Sequence, residues 1–259
     1  MPALENVHAT RYVMPLREGG SLPGLIEADD LGMYVAKFRG AGQGLKALVA
    51  EVIVGELARR LGMPVPRMVT VDLPFDLTRY EADEEVQDLL QASVGSNLGV
   101  DFLPAAFAYD GSHPPSAPLA AQILWLDALT ANVDRTWNNP NLLRWHGQTY
   151  AIDHGAALWF HHLWPTKPAD ADRFAAQPFD ATTHVLRGVV TDASVAAAHE
   201  ELAVAVTDDM VADVVGAVPK DWLEPALGLP DPESVRAAYA DHLVARLHAP
   251  GSWLPGGAP

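Results

Sequence analysis

Residues Ala131–Leu143 read ANVDRTWNNPNLL. The stretch follows an apolar helical segment and carries one aspartate, one arginine and four asparagines. Asparagine competes with the backbone for hydrogen bonds, so it is weak inside helices and strong in turns. Asp134 and Asn139 are therefore expected in a turn at the end of a helix. A surface turn accounts for either residue alone. A metal and phosphate site accounts for both together, and the flanking sequence decides between these readings.

Downstream, NLLRWHGQTYAID reads as a β-hairpin. Its strands, near Asn141–Trp145 and Thr149–Asp153, pair antiparallel about a turn at His146–Gln148. Asp153 then returns close to Asn139 and Asp134, so two carboxylates and an amide oxygen converge. Hard oxygen donors of this kind suit Mg²⁺, which takes one or two protein ligands and completes its shell with phosphate oxygens and water. Just upstream, Asp127 lies among Ile123, Leu124, Thr130 and Ala131 on its helix. It is expected to be a buried anchor for the loop backbone, with Arg135 supporting the loop.

Two more charges stand in apolar settings. In MYVAKF, Met33–Phe38, strand alternation places Met33, Val35 and Lys37 on one face, with Lys37 its only charge. The next segment, Gly44–Met63, reads as a helix stopped by Gly62 and Pro64. Lys46, Glu56 and Arg60 share one side of it, with Arg59 nearer the edge, while Glu51 falls roughly opposite among Ala47, Leu48, Val54 and Gly55. An unpaired carboxylate there is costly. Lys37 and Glu51 each solve the other's problem. A strand lysine held by a glutamate on the following helix is how a kinase N-lobe holds its phosphate-binding lysine, and Asp–four residues–Asn–hairpin–Asp is the order of a kinase catalytic loop and its metal aspartate. One hairpin upstream, REGGSLPG (Arg17–Gly24) stands where a loop over phosphates lies; it is not a P-loop.

The segments NVDRTWNNPNLL, YAIDHGAALWF, YVAKF and AEVIVGELARRLGMPVP together resemble the HipA-like kinase family, which is distantly related to phosphoinositide kinases. The resemblance spans about Tyr12–Phe160. It implies an α+β, two-lobed protein-kinase-like fold, with a strand-rich N-lobe over 1–117 and a mainly helical C-lobe over 118–259. It also implies an ATP- and Mg²⁺-dependent kinase acting on a hydroxyl, with protein serine or threonine favoured. Carried over by position, Asp134 and Lys37 are the catalytic pair, Lys37, Glu51, Gly19, Gly20 and Ser21 surround the nucleotide, and Asn139 and Asp153 hold the metal. Members of the family carry a loop serine that can be autophosphorylated, and Ser21 is its match here. Typical members have histidine two places after the catalytic aspartate, where this chain has Thr136. The chain is also shorter than full toxin kinases, and an additional N-terminal domain is not expected. The adenine pocket is expected near Val94–Ala105.

Composition agrees with this class. The chain has 259 residues, 49% of them hydrophobic, enough for one large domain or two small lobes. It has no cysteine, which excludes disulfides, thiolate metal sites and cysteine nucleophiles and fits a reducing cytoplasm. No signal peptide or run of about 20 apolar residues is visible. A net charge of -16, with the 17 Lys and Arg residues scattered, disfavours nucleic acid and anionic membrane and favours proteins or small molecules as partners; ATP and a protein or small-molecule phosphate acceptor are what the resemblance implies. Other strands are expected at Arg11–Leu16, Gly24–Phe38 as a hairpin turning at Asp29–Gly32, and Pro66–Leu73. Further helices are expected at Glu81–Ala92, from Leu119, and at Ala193–Val206, Asp208–Val218 and Pro232–Leu247. Three other readings stay open: a kinase-shaped pseudoenzyme or nucleotide-binding module acting through protein interaction, a small-molecule kinase, and a metal hydrolase using His154, His161, His162 and Asp153. Against the last, adjacent His161 and His162 point apart in a regular element, and no H-E-x-x-H occurs.

Overall fold

The computed structural model describes residues 4–16 and 22–256. The first part of the chain builds β1 (Asn6–Pro15), β2 (Gly24–Ala28), β3 (Met33–Lys37), α1 (Gly44–Arg60), β4 (Met68–Leu73), α2 (Glu84–Ala92) and β5 (Gly95–Asp101). Its five strands close into a barrel in the order β1-β2-β3-β5-β4, with β1 and β4 parallel and the other pairs antiparallel. Closure removes the sheet edges that an open sheet leaves exposed. The sequence leads one to expect neither the closure nor β5. That strand, GSNLGVD, lacks β-branched alternation, yet it pairs along its length with β4 and along Tyr34–Lys37 with β3. Inward-facing Ile26, Tyr34, Ala36, Val69 and Val71 fill the barrel.

α1 ends as its sequence demands. Gly62 adopts φ +77, and the N–H groups of Gly62 and Met63 return to the carbonyls of Arg59 and Ala58. This is a Schellman closure, which needs a left-handed residue at that point. The helix is buried over most of its length from Ala47 to Ala58, which makes it a hinge pin of the core rather than a surface helix.

The second part adds β6 (Phe107–Ala108), α3 (Ala117–Thr130), β7 (Leu142–Trp145), β8 (Gln148–Ala151), α4 (Ala171–Ala175), α5 (Asp192–Ala205), α6 (Asp208–Gly216), α7 (Pro232–Leu247) and α8 (Pro250–Trp253). β6, β7 and β8 form an antiparallel sheet. The β7–β8 turn places His146 and Gly147 at positive φ, the geometry of a tight two-residue hairpin. α3 is apolar all round and lies in the main core with α1 and the later helices. α5, α6 and α7 start where Thr191, Thr207 and Asp231 cap their first turns. Among the described residues no helix is long and apolar enough to cross a membrane.

Candidate active site

Lys37 ends β3, and its Nζ donates to Glu51 Oε1 on α1 and, at 2.8 Å, to Asp153 Oδ1 just past β8. The strand face that carries Lys37 is the one turned away from the barrel interior. Tyr34 and Ala36 point into the core, while Val35 and Lys37 line a cleft of about 730 Å³ between the barrel and the second sheet. Met14, Met68, Val100, Phe102 and Leu143 give that cleft apolar walls, and Lys37, Glu51, Asp153 and His154 form its polar end. Large apolar clefts with a few convergent polar groups are the usual form of small-molecule sites.

Glu51 is buried and accepts a second hydrogen bond, from the Gly155 N–H at 2.8 Å. A Cβ on Gly155 would lie 3.1 Å from Glu51 Oε1, so the backbone approaches the carboxylate closely there. Burial, together with repulsion from Asp153, pushes the Glu51 carboxyl above the usual carboxylate range against the pull of Lys37. Asp153 is half exposed. Burial raises its carboxyl, but the Lys37 ammonium and hydrogen bonding with Glu51 together outweigh that and hold it well below the usual carboxylate range. The ammonium itself loses to burial and gains more from its two carboxylates, so its pKa is raised. The end of the cleft therefore carries a fixed cation flanked by an ionised, solvent-facing aspartate.

The Asp134 loop is built on a buried hub. α3 ends with Ala131 at φ 54, which turns the chain toward the cleft. Asp127 is fully buried and accepts from Arg135 Nε at 2.6 Å, Arg135 Nη2 at 3.3 Å, Asn132 Nδ2 at 3.0 Å and His184 Nε2 at 2.9 Å. Burial works against ionisation of Asp127, and Arg135 and His184 more than compensate, so its carboxyl stays far below the usual range. His184 Nδ1 accepts the Leu186 N–H, which leaves Nε2 as the protonated nitrogen. Arg135 spends all its N–H donors inside the protein: besides Asp127 it reaches the carbonyls of Asn141 and Ile152 and His154 Nδ1. One guanidinium thus ties the helix, the loop and both ends of the β7–β8 hairpin together. Asn132 Oδ1 in turn takes the Asp134 N–H at 3.2 Å.

On this frame Thr136 and Asn139 close a tight turn through reciprocal backbone bonds of 3.0 and 3.2 Å, and Asn139 Nδ2 donates to Asp134 Oδ2 at 2.8 Å. The structure therefore joins the sequence-selected residues in one trio and one pair: Lys37 with Glu51 and Asp153, and Asp134 with Asn139. No hydrogen bond links Asn139 directly to Asp153. Gly19, Gly20 and Ser21 lie outside the described residues. Thr136 bridges to the backbone of His184, whose imidazole reaches the hub from a segment far along the chain.

The residues suit a divalent cation by donor chemistry. Asp153, Asp134 and Asn139 offer hard oxygens, and the amide orientation that serves Asp134 leaves Asn139 Oδ1 uncommitted. Among the described residues no cluster of three or more His, Asp or Glu side chains forms a dedicated metal cage. Among the described residues the histidines form no metal cluster with Asp153, although the adjacent His161 and His162 rings meet edge-on with centroids 4.4 Å apart. Burial and the nearby Arg135 push His154 down to about 3, and buried His161 packs against Tyr239, its Nδ1 3.0 Å from the Tyr239 hydroxyl. His184, Asn132 and the Gly155 N–H have no signal in the sequence, since each depends on contacts set by the folded chain.

The comparisons with known proteins agree with this geometry. The family model described as HipA-like kinase matches residues 10–254. Among solved structures, the Helicobacter pylori proinflammatory kinase CtkA aligns with a TM-score of 0.52 at 11% identity, covering 96% of this chain and 98% of that one, which shows a shared fold. A Golgi casein kinase with Mn/ADP bound aligns at a TM-score of 0.43 and 14% identity, over 96% of this chain and 74% of that one, too low to carry an argument. No curated protein matches the sequence. With the family model matching nearly its whole length, the chain belongs to the HipA-like kinase family.

Proposed function

We propose that the protein is a two-lobed, kinase-like phosphotransferase that binds ATP with Mg²⁺ in the cleft and transfers the γ-phosphate to a hydroxyl, with protein serine or threonine as the acceptor class. The observation that carries this reading is Lys37, bonded at once to Glu51 and Asp153 at the polar end of an apolar cleft of about 730 Å³. The division into an N-lobe over 1–117 and a C-lobe over 118–259 belongs to the same proposal, with β6 of the first crossing to the sheet of the second.

Phosphoryl transfer asks a protein mainly for positioning and charge neutralisation. Lys37 meets the inner phosphates as a point charge, and Glu51 keeps it aimed. Asp153 and Asn139 are the residues that would hold the cation, which when bound neutralises charge on the outer phosphates. Asp134 orients the acceptor hydroxyl and takes its proton. Asp127, Asn132 and Arg135 hold the Asp134 backbone in place. Phosphorylation of Ser21 by the enzyme itself would add about -1.5 to -2 charges to the loop over the phosphates and compete with ATP for Lys37.

Incubation with γ-labelled ATP, Mg²⁺ and a cell extract tests this. The native protein labels an acceptor, and Asp134→Asn and Asp153→Asn, folded by circular dichroism, do not. Equal labelling by the variants contradicts the assignment. Binding of ATP with no transfer to any acceptor favours the pseudoenzyme reading instead.

A further inference from the structure

Trp137 is an exposed indole fixed beside the candidate base. It occupies the tip of the turn closed by Thr136 and Asn139, the turn whose stem holds the Asp134–Asn139 pair. Its side is 59% exposed, yet it is not loose. Its ring stacks on Tyr109, with centroids 6.1 Å apart and planes 24° from parallel. Its other edge lies against Gly111, where an added Cβ would stand 3.0 Å from the ring and where φ is +85. A residue with a side chain at position 111 would be strained and would displace the indole. Tyr109 continues β6 through its N–H to the Leu142 carbonyl, so strand alternation puts Phe107, 72% exposed, on the same side. Val133, 64% exposed, directly precedes Asp134.

Solvent-exposed tryptophan held in one orientation is poor economy for a monomer's surface and good design for a contact, because a rigid aromatic gives area at little entropy cost. Resting on the kinase reading above, we infer that Trp137, with Phe107, is the docking platform for a polypeptide acceptor, and selects a segment with a large apolar side chain close to its serine or threonine. Charge points the same way. Asp110 and Asp134 adjoin the platform residues in the chain, Arg144 pairs opposite Phe107 and donates to Thr149 at 3.5 Å, and the chain as a whole carries a net charge of -16. A cationic polypeptide is therefore steered in, where an acidic one or a nucleic acid is repelled.

The test is an oriented library of Ser- and Thr-centred peptides, each flanking position fixed in turn, with labelled Mg²⁺–ATP. The native protein should favour peptides with Leu, Ile, Met or Phe at one flanking position. For the best peptide, Trp137→Ala should raise KM about tenfold with kcat and ATP affinity nearly unchanged, Trp137→Phe should recover most of the loss, and Phe107→Ser should raise KM without touching the Tyr109 stack. Absence of apolar selection, or an unchanged KM in both Trp137→Ala and Phe107→Ser, overturns the inference. So does a protein that binds and hydrolyses Mg²⁺–ATP but labels only small-molecule hydroxyls, a result that leaves the kinase reading standing. Failure to bind ATP removes both.

Discussion

Lys37 Nζ lies 2.8 Å from Asp153 Oδ1, although 116 positions separate the two residues in the chain. The contact joins the barrel to the second sheet at one point, and the same ammonium is held from behind by Glu51. A cation placed between two parts of a fold, with an apolar cleft beside it, is positioned to receive phosphate as soon as a nucleotide enters.

Removal of Glu51 tests the rear half of this arrangement. Glu51→Ala leaves Lys37 with Asp153 alone and the Gly155 N–H without its acceptor. The expected loss is about 2–3 kcal/mol, less than for a fully isolated buried pair because Asp153 retains part of the interaction. Urea denaturation measures it, and a loss below about 0.5 kcal/mol, the range of an ordinary surface substitution, contradicts the pairing.

The Asp127–Arg135 hub predicts a non-additive pair. Both side chains are fully buried, so Asp127→Asn strands the guanidinium and should cost about 3–5 kcal/mol. Replacing both, as Asp127→Leu with Arg135→Met, should cost less than the sum of the singles by about 1–3 kcal/mol. Additive losses in the double-mutant cycle speak against a coupled hub.

Gly99 offers a packing prediction inside the barrel. A Cβ there would stand 2.5 Å from Val71 Cγ2 and 2.8 Å from Val69 Cγ2, both branched and buried. Gly99→Val should therefore lower stability by about 1–3 kcal/mol or more through overpacking. A thermal melt that is unshifted means the barrel relaxes around the added side chain.

Acid stability follows from His161. Burial, then repulsion from His162 and Lys46, pushes it well below 6.5. Between the folded and unfolded values the unfolded chain binds the extra proton, so the contribution to stability is present above pH 6.5 and is lost as pH falls. The slope approaches about 1.4 kcal/mol per pH unit for this one group. His161→Gln, which keeps a partner for Tyr239, should flatten the decline between pH 6.5 and 5. An identical decline in the variant assigns the acid sensitivity to other groups.

Much of the site was readable because its charges break local patterns. Lys37 is the charge that strand alternation cannot explain, and Glu51 is the carboxylate on the wrong side of an apolar helix. α7 was readable to its ends, since Asp231 and Pro232 mark its start. The barrel was not, because β5 draws its order from two neighbouring strands and from Asn97, whose amide caps local backbone groups rather than packing. His184 was invisible for the same reason: it meets Asp127 across 57 positions from an irregular segment, a contact no local pattern encodes.

Calorimetric titration of Mg²⁺–ATP tests the central claim most directly. The native protein should bind one nucleotide saturably, and Lys37→Met and Asp153→Asn, both folded, should each weaken binding about tenfold or more, as loss of a charge-assisted contact of about 1.4 kcal/mol requires. Absence of saturable binding by the native protein, or unchanged affinity in both variants, would show that the cleft at Lys37 is not a nucleotide site.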